Sequence, residues 1–146
     1  MGQGPAGRPV GILLIEDNPG DVRLAIEALK ASEVAHNLHV VGDGVEALQF
    51  LYRKGKYGDA PRPDIILLDL NLPKKDGREV LAEIKQDEDL KRIPVVVLTT
   101  SEAEEDILKV YNLHANCYVK KPSELDQFIK HMRAIQDFWF DTCNLP

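Results

Sequence analysis

With 146 residues, 44% of them hydrophobic and 29% charged, the chain has the size and balance of one globular domain that buries a core without disulfide or metal staples. A net charge of −6 argues against nucleic acid as a direct partner, because phosphate contacts need a basic face. No apolar run approaches a membrane span, and Met1 to Pro9 lacks the apolar centre of a secretory signal, so no membrane partner and a cytoplasmic location are expected.

In chain order, residues 1–10 read as a flexible lead-in. The first apolar run is Ile12-Leu13-Leu14-Ile15, and Val22, Ala25, Ile26 and Leu29 follow it at helical spacing. Leu38 to Val41 is a second run, with Val45, Leu48, Leu51 and Tyr52 as the next helical stripe. Ile65-Ile66-Leu67-Leu68 precedes the stripe Val80, Leu81 and Ile84. Val95-Val96-Val97-Leu98 precedes Ile107, Val110, Tyr111 and His114. Cys117-Tyr118-Val119 precedes the longest stripe: Leu125, Phe128, Ile129, Met132, Ile135 and Trp139. That last helix has Pro122 ahead of it, Ser123 as N-cap and Asp126 at N3, close to a capping box. Three of the apolar runs do not alternate with polar residues, which marks strands buried on both faces, as in parallel sheets.

Strand then helix, five times over, predicts an α/β fold: a doubly wound, five-stranded parallel sheet with five helices on its two faces. Such sheets put their chemistry at the C-terminal strand ends, where the strand order reverses. Glu16-Asp17-Asn18-Pro19 follows the first run, and Asp69-Leu70-Asn71-Leu72-Pro73 with Asp76-Gly77 follows the third. Thr99-Thr100-Ser101 follows the fourth, and Lys120-Lys121-Pro122 the fifth. The second ends in Gly42-Asp43-Gly44, with no evident chemistry.

On this fold Glu16, Asp17 and Asp69 converge. Three carboxylates in one cleft repel one another, and a hard divalent cation held by oxygen ligands relieves the repulsion, Mg²⁺ suiting the set. A carboxylate such as Asp69 can also act as a nucleophile and form an aspartyl phosphate. Lys121 then supplies a point charge and the Thr99 hydroxyl a hydrogen bond to the phosphoryl oxygens. Each residue alone has a plainer explanation as a turn or cap. It is the ordered set of acid pair, acid, hydroxyl and lysine on four strand ends that points to phosphoryl chemistry.

That set resembles the CheY-like response-regulator receivers, over about Gly11 to Met132. The resemblance implies a flavodoxin-like sheet in the order 2-1-3-4-5. It implies Asp69 as phosphoacceptor, with Asp17, Asp69 and the Asn71 backbone carbonyl as Mg²⁺ ligands and Glu16 holding the metal through water. It further implies Thr99 as switch hydroxyl, Lys121 as the partner lysine, Tyr118 as switch aromatic and a cis bond before Pro122. A receiver of this kind is not an enzyme in the ordinary sense. It is a phosphoacceptor that catalyses its own phosphorylation and dephosphorylation.

The stretch Glu16 to Leu24, the long Arg53-to-Pro63 loop, the Asp69-to-Gly77 segment and the ending Asp137-Phe138-Trp139 resemble stand-alone receivers paired with bacterial and cyanobacterial phytochromes. That narrower likeness implies a phytochrome-type histidine kinase as donor. With a receiver over 11–137 and an aromatic extension over 138–146, no output module is expected, so the signal leaves through contact with a downstream protein. Phe138, Trp139 and Phe140 point about 100° apart on a helix; the segment either folds back on its own domain or, the simplest cover, meets a second copy, giving the homodimer expected here.

Two other chemistries fit less well. A phosphatase with an aspartate nucleophile wants a second Asp where this chain has Asn71. A flavodoxin-like electron carrier wants a phosphate-cradling Ser/Thr loop where this chain has Glu16-Asp17-Asn18. Cys117 and Cys143 lack a Cys-x-x-Cys partner, and His36, His39, His114 and His131 lack ligand spacing.

Overall fold

Apolar runs without polar alternation become central strands because both of their faces are covered. The computed structural model describes residues 9–31, 35–99 and 117–120, together with 130, 133 and 134. Its strands are β1 (Val10–Ile15), β2 (His36–Val41), β3 (Ile65–Leu68), β4 (Val95–Thr99) and β5 (Cys117–Lys120). All pair in parallel in the order β2-β1-β3-β4-β5. β3 is buried at every position, whereas β2, at the edge, is buried only at Val41. Val10, placed in the lead-in from sequence, opens β1, pairs with His36 and is fully buried, because Gly11 interrupts the apolar run but not the backbone ladder.

Three α-helices lie among the described residues: α1 (Pro19–Lys30), α2 (Gly44–Leu51) and α3 (Gly77–Gln86). One face of the sheet, with Ile12, Leu14, Ile65, Leu67 and Val96, packs on Ala25, Ala28 and Leu29 of α1. The other, with Leu13, Ile15, Ile66, Leu68 and Val97, packs on α2 and α3 through Leu48, Leu51, Val80, Leu81 and Ile84. Helices on both faces make the sheet doubly wound. β1 is followed by β2 on one side and flanked by β3 on the other, so the crevice opens between the C-terminal ends of β1 and β3. The fourth and fifth helical stripes, the Ser123 cap and the Lys121–Pro122 bond lie outside the described residues.

Each of these three α-helices begins at a side-chain cap. Asn18 Oδ1 accepts from Gly20 N at 2.8 Å, Asp43 Oδ1 from Glu46 N at 2.7 Å and Asp76 Oδ1 from Arg78 N at 2.8 Å. The α2 stripe read from sequence needs correction. Val45 and Tyr52 are exposed, and Ala47 and Phe50 are buried with Leu48 and Leu51. The helix ends at Leu51, so Tyr52 is already leaving it, and Phe50 turns instead toward His39 of β2 and Tyr57 of the following loop, at ring separations of 5.3 and 5.2 Å. On α1 the buried stripe runs through Ala28 rather than Ile26, which is half-buried.

α2 closes with Lys54 N donating to Gln49 O and Arg53 N donating to Phe50 O, the two bonds of a Schellman motif. Arg53 occupies its left-handed position at φ 55°, where glycine is the usual residue. Arg53→Gly is therefore expected to stabilise the fold by about 0.5–1 kcal/mol, the left-handed penalty less the extra chain entropy of glycine. A higher urea midpoint at unchanged slope checks it.

From the last turn of α3, Lys85 Nζ donates to the carbonyls of Lys91 and Ile93 at 3.1 and 2.9 Å, and burial there pushes its pKa down from 10.5 to about 8. The penalty on the charged form is fully present below about 8. Between about 8 and 10.5 the unfolded chain holds more of this proton, so stability rises with pH. Measured against Lys85→Met, the wild type is expected to gain stability across that window and to stay level below it, as read from urea midpoints.

Candidate functional site

The ladders run one residue past the strands. Glu16 N donates to Val41 O and Asp69 N to Ile15 O, each at 3.0 Å. These bonds set Glu16 and Asp69 on neighbouring strand ends at the same side of the sheet, with Asp17 next in line. Oxygens of the three carboxylates lie within 4.8 Å of one another. Glu16 is 3% exposed and Asp69 6%, whereas Asp17 is open to solvent. One oxygen of Glu16 accepts from Asn18 N and one of Asp69 from Asn71 N, both at 3.2 Å. Each buried acid is thus oriented by the backbone two residues on.

Among the described residues the donor set is all oxygen, with no thiolate or imidazole in the cluster. Its open side at Asp17 leaves room for retained waters, which suits a small hard cation such as Mg²⁺ better than a closed all-protein cage. Clustered anions at such spacing repel strongly, and a divalent cation converts the repulsion into attraction.

Of the other residues singled out from sequence, Thr99 ends β4 and pairs with Lys120, which ends β5. Lys121 lies outside the described residues. Tyr118 is placed by its backbone opposite Val97, two residues further from that end. Asn71 lies exposed in the loop after β3.

Sequence reasoning missed what shapes that loop. A Cβ on residue 77 would come within 2.3 Å of the Asp69 carbonyl oxygen, and one on residue 44 within 2.1 Å of the Lys75 carbonyl oxygen. Both positions need glycine because backbone passes there. Asp43, which carried no evident chemistry, caps α2 and pairs with Lys74 at 3.5 Å. The signal was present as a repeated Asp-Gly at a helix start, Asp43-Gly44 and Asp76-Gly77.

Compared with known proteins, residues 12–133 match the response regulator receiver domain family. The response regulator Rcp1 of Synechocystis is 55% identical over 138 residues, 94% of this chain and 94% of its own. The crystal structure of the phosphorylated cyanobacterial phytochrome response regulator RcpA superposes with a TM-score of 0.91 at 55% identity, covering 94% of this chain and 99% of that one. The Mn²⁺-bound form of Rcp1 superposes with a TM-score of 0.89 over the same shares.

Proposed function

The chain belongs to the response regulator receiver domain family, and from that membership we propose that it relays a signal by accepting a phosphoryl group on Asp69 from a phytochrome-type histidine kinase, in a Mg²⁺-dependent reaction. The observation that carries the reading is the meeting of Glu16, Asp17 and Asp69 within 4.8 Å at the switch point of the sheet. The phosphorylated state of RcpA and the Mn²⁺ bound by Rcp1 support it, since both relatives share 55% of their residues with this chain.

In the transfer, an Asp69 carboxylate oxygen attacks phosphorus. The bond from phosphorus to the kinase imidazole nitrogen breaks, imidazole leaves, and an acyl phosphate remains on Asp69. Asp17, Asp69 and the Asn71 carbonyl would hold the cation directly and Glu16 through water. When bound, the cation neutralises phosphoryl oxygen charge. The Lys121 ammonium and the Thr99 hydroxyl take the remaining oxygens, and the movement of Thr99, followed by Tyr118, biases the face of the last two strands toward a second conformation. A groove along α1, begun by Asp17 and lined by Val22 and Ile26 with Arg23, Glu27 and Lys30, offers the kinase a surface beside the acceptor.

The receiver is assigned to 10–137, one residue earlier than the sequence reading because Val10 opens β1, with 1–9 and 138–146 as flanking segments. The aromatic run Phe138-Trp139-Phe140 serves contact with a second copy, and the output is a contact with a downstream protein in the cytoplasm. No described helix is long and apolar enough to cross a membrane. The test is intact-mass measurement after incubation with acetyl phosphate. One phosphoryl mass is expected with Mg²⁺ and none with chelator, and labelling indifferent to the chelator overturns the reading.

A further inference from the structure

The loop between β3 and α3 bends more tightly than its sequence announces. Leu72 N donates to Leu70 O at 3.2 Å and Lys75 N to Pro73 O at 2.7 Å, so two three-residue turns follow one another, centred on Asn71 and Lys74. Lys74 sits at φ 65°, the left-handed region that a side chain rarely enters. Strain of this kind persists only where the surroundings hold it, and it gathers at functional sites.

The N-terminus of α2 is what holds it. Asp43 divides its two oxygens: Oδ1 caps α2 by accepting from Glu46 N at 2.7 Å, and Oδ2 stands 3.5 Å from Lys74 Nζ. Beside that pair, the Lys75 carbonyl lies in the space that a side chain on residue 44 would occupy. The Lys75 ammonium goes the other way, to Glu83 of α3. Two successive lysines thus tie one loop to two helices, and Asn71 lies between them and Asp69 in the chain. Lys74 is 69% exposed, so its ion pair adds little to global stability, and its consequence is geometric.

We propose that Asp43 and Lys74 form a clamp that positions the Asn71 carbonyl and thereby sets the divalent-cation affinity of the carboxylate cluster. The inference rests on reading that cluster with Asn71 as a metal site. Asp43 and Lys74 are positioning residues that act through the loop and not as ligands.

Charge alone and the clamp differ in sign. If only the electrostatic field matters, Lys74→Met removes a positive charge and tightens Mg²⁺ binding, Asp43→Asn removes a negative one and weakens it, and the double variant returns near wild type. If the clamp matters, all three bind more weakly by a similar factor, about tenfold, the lower end of the cost of losing a group that orients a metal ligand. Asn at 43 keeps an oxygen for the cap, so melting temperatures without metal should stay close to wild type. Lys74→Gly, which suits a positive φ and secures folding, is expected to show the same weakening.

The experiment is calorimetric titration of the full chain with MgCl₂ alone. A Lys74→Met or Lys74→Gly protein that binds Mg²⁺ as tightly as wild type, or more tightly, overturns the clamp and leaves the metal site standing. A wild type that binds no Mg²⁺ overturns the metal site and the clamp with it.

Discussion

Asp69→Asn is expected to take up no phosphoryl group from acetyl phosphate under conditions that label the wild type fully. The amide that replaces the carboxylate carries no charge and is a poor nucleophile, so the acyl phosphate cannot form. Because its oxygen can still accept from Asn71 N, as Asp69 Oδ1 does at 3.2 Å, the loop need not rearrange and the loss is chemical. A second readout is independent of transfer. A cation that binds only the folded state stabilises it by about 2.7 kcal/mol at a hundred times its dissociation constant. Removing one of the carboxylates that meet within 4.8 Å should abolish most of that Mg²⁺-dependent rise in melting temperature. Intact mass and paired thermal melts, with and without Mg²⁺, check both. Labelling of the variant at the wild-type level would remove Asp69 as acceptor.

Gly77→Ala is expected to destabilise the protein by about 3 kcal/mol, a fall of roughly 10 °C in melting temperature. The added Cβ would lie 2.3 Å from the Asp69 carbonyl oxygen and 2.6 Å from the Leu70 Cα. Both are backbone, so no flexible side chain can swing away, and the hydrogen bond from Gly77 N to Leu70 O at 2.9 Å holds the two segments together. Relief must come from moving α3 or moving residue 69, and either displaces the proposed acceptor. Labelling of the folded fraction should therefore fall as well. Gly42→Ala is the control: nothing lies within 4 Å of its would-be Cβ, and it should be close to neutral. If the two substitutions cost the same, backbone approach is not what Gly77 serves.

The strands were legible because their signal is local. Ile65 to Leu68 contains no polar residue, and a run of that kind is stable only where both faces are covered, as they are. Val80, Leu81 and Ile84 announced the buried face of α3 for the same reason, three residues within little more than one turn. The α2 stripe misled at its ends. Val45 and Tyr52 are apolar enough to read as core, but their burial depends on where α2 stops and on which neighbours arrive, and neither is written in eight consecutive residues.

The candidate site divides in the same way. Glu16, Asp17 and Asp69 could be picked out in sequence because each follows an apolar run, and a parallel sheet sends every such end to one side. The sequence by itself thus determined the strand runs, the sheet class and the acids at the strand ends. Only the tertiary structure decided how closely the acids meet, that Asp43 faces Lys74 across 31 positions of chain, and that Gly44 and Gly77 leave room for backbone. The physical reason is range. Hydrophobic periodicity acts between residues a few positions apart, whereas Coulomb attraction and steric exclusion act through space, between segments that become neighbours only once the sheet has assembled.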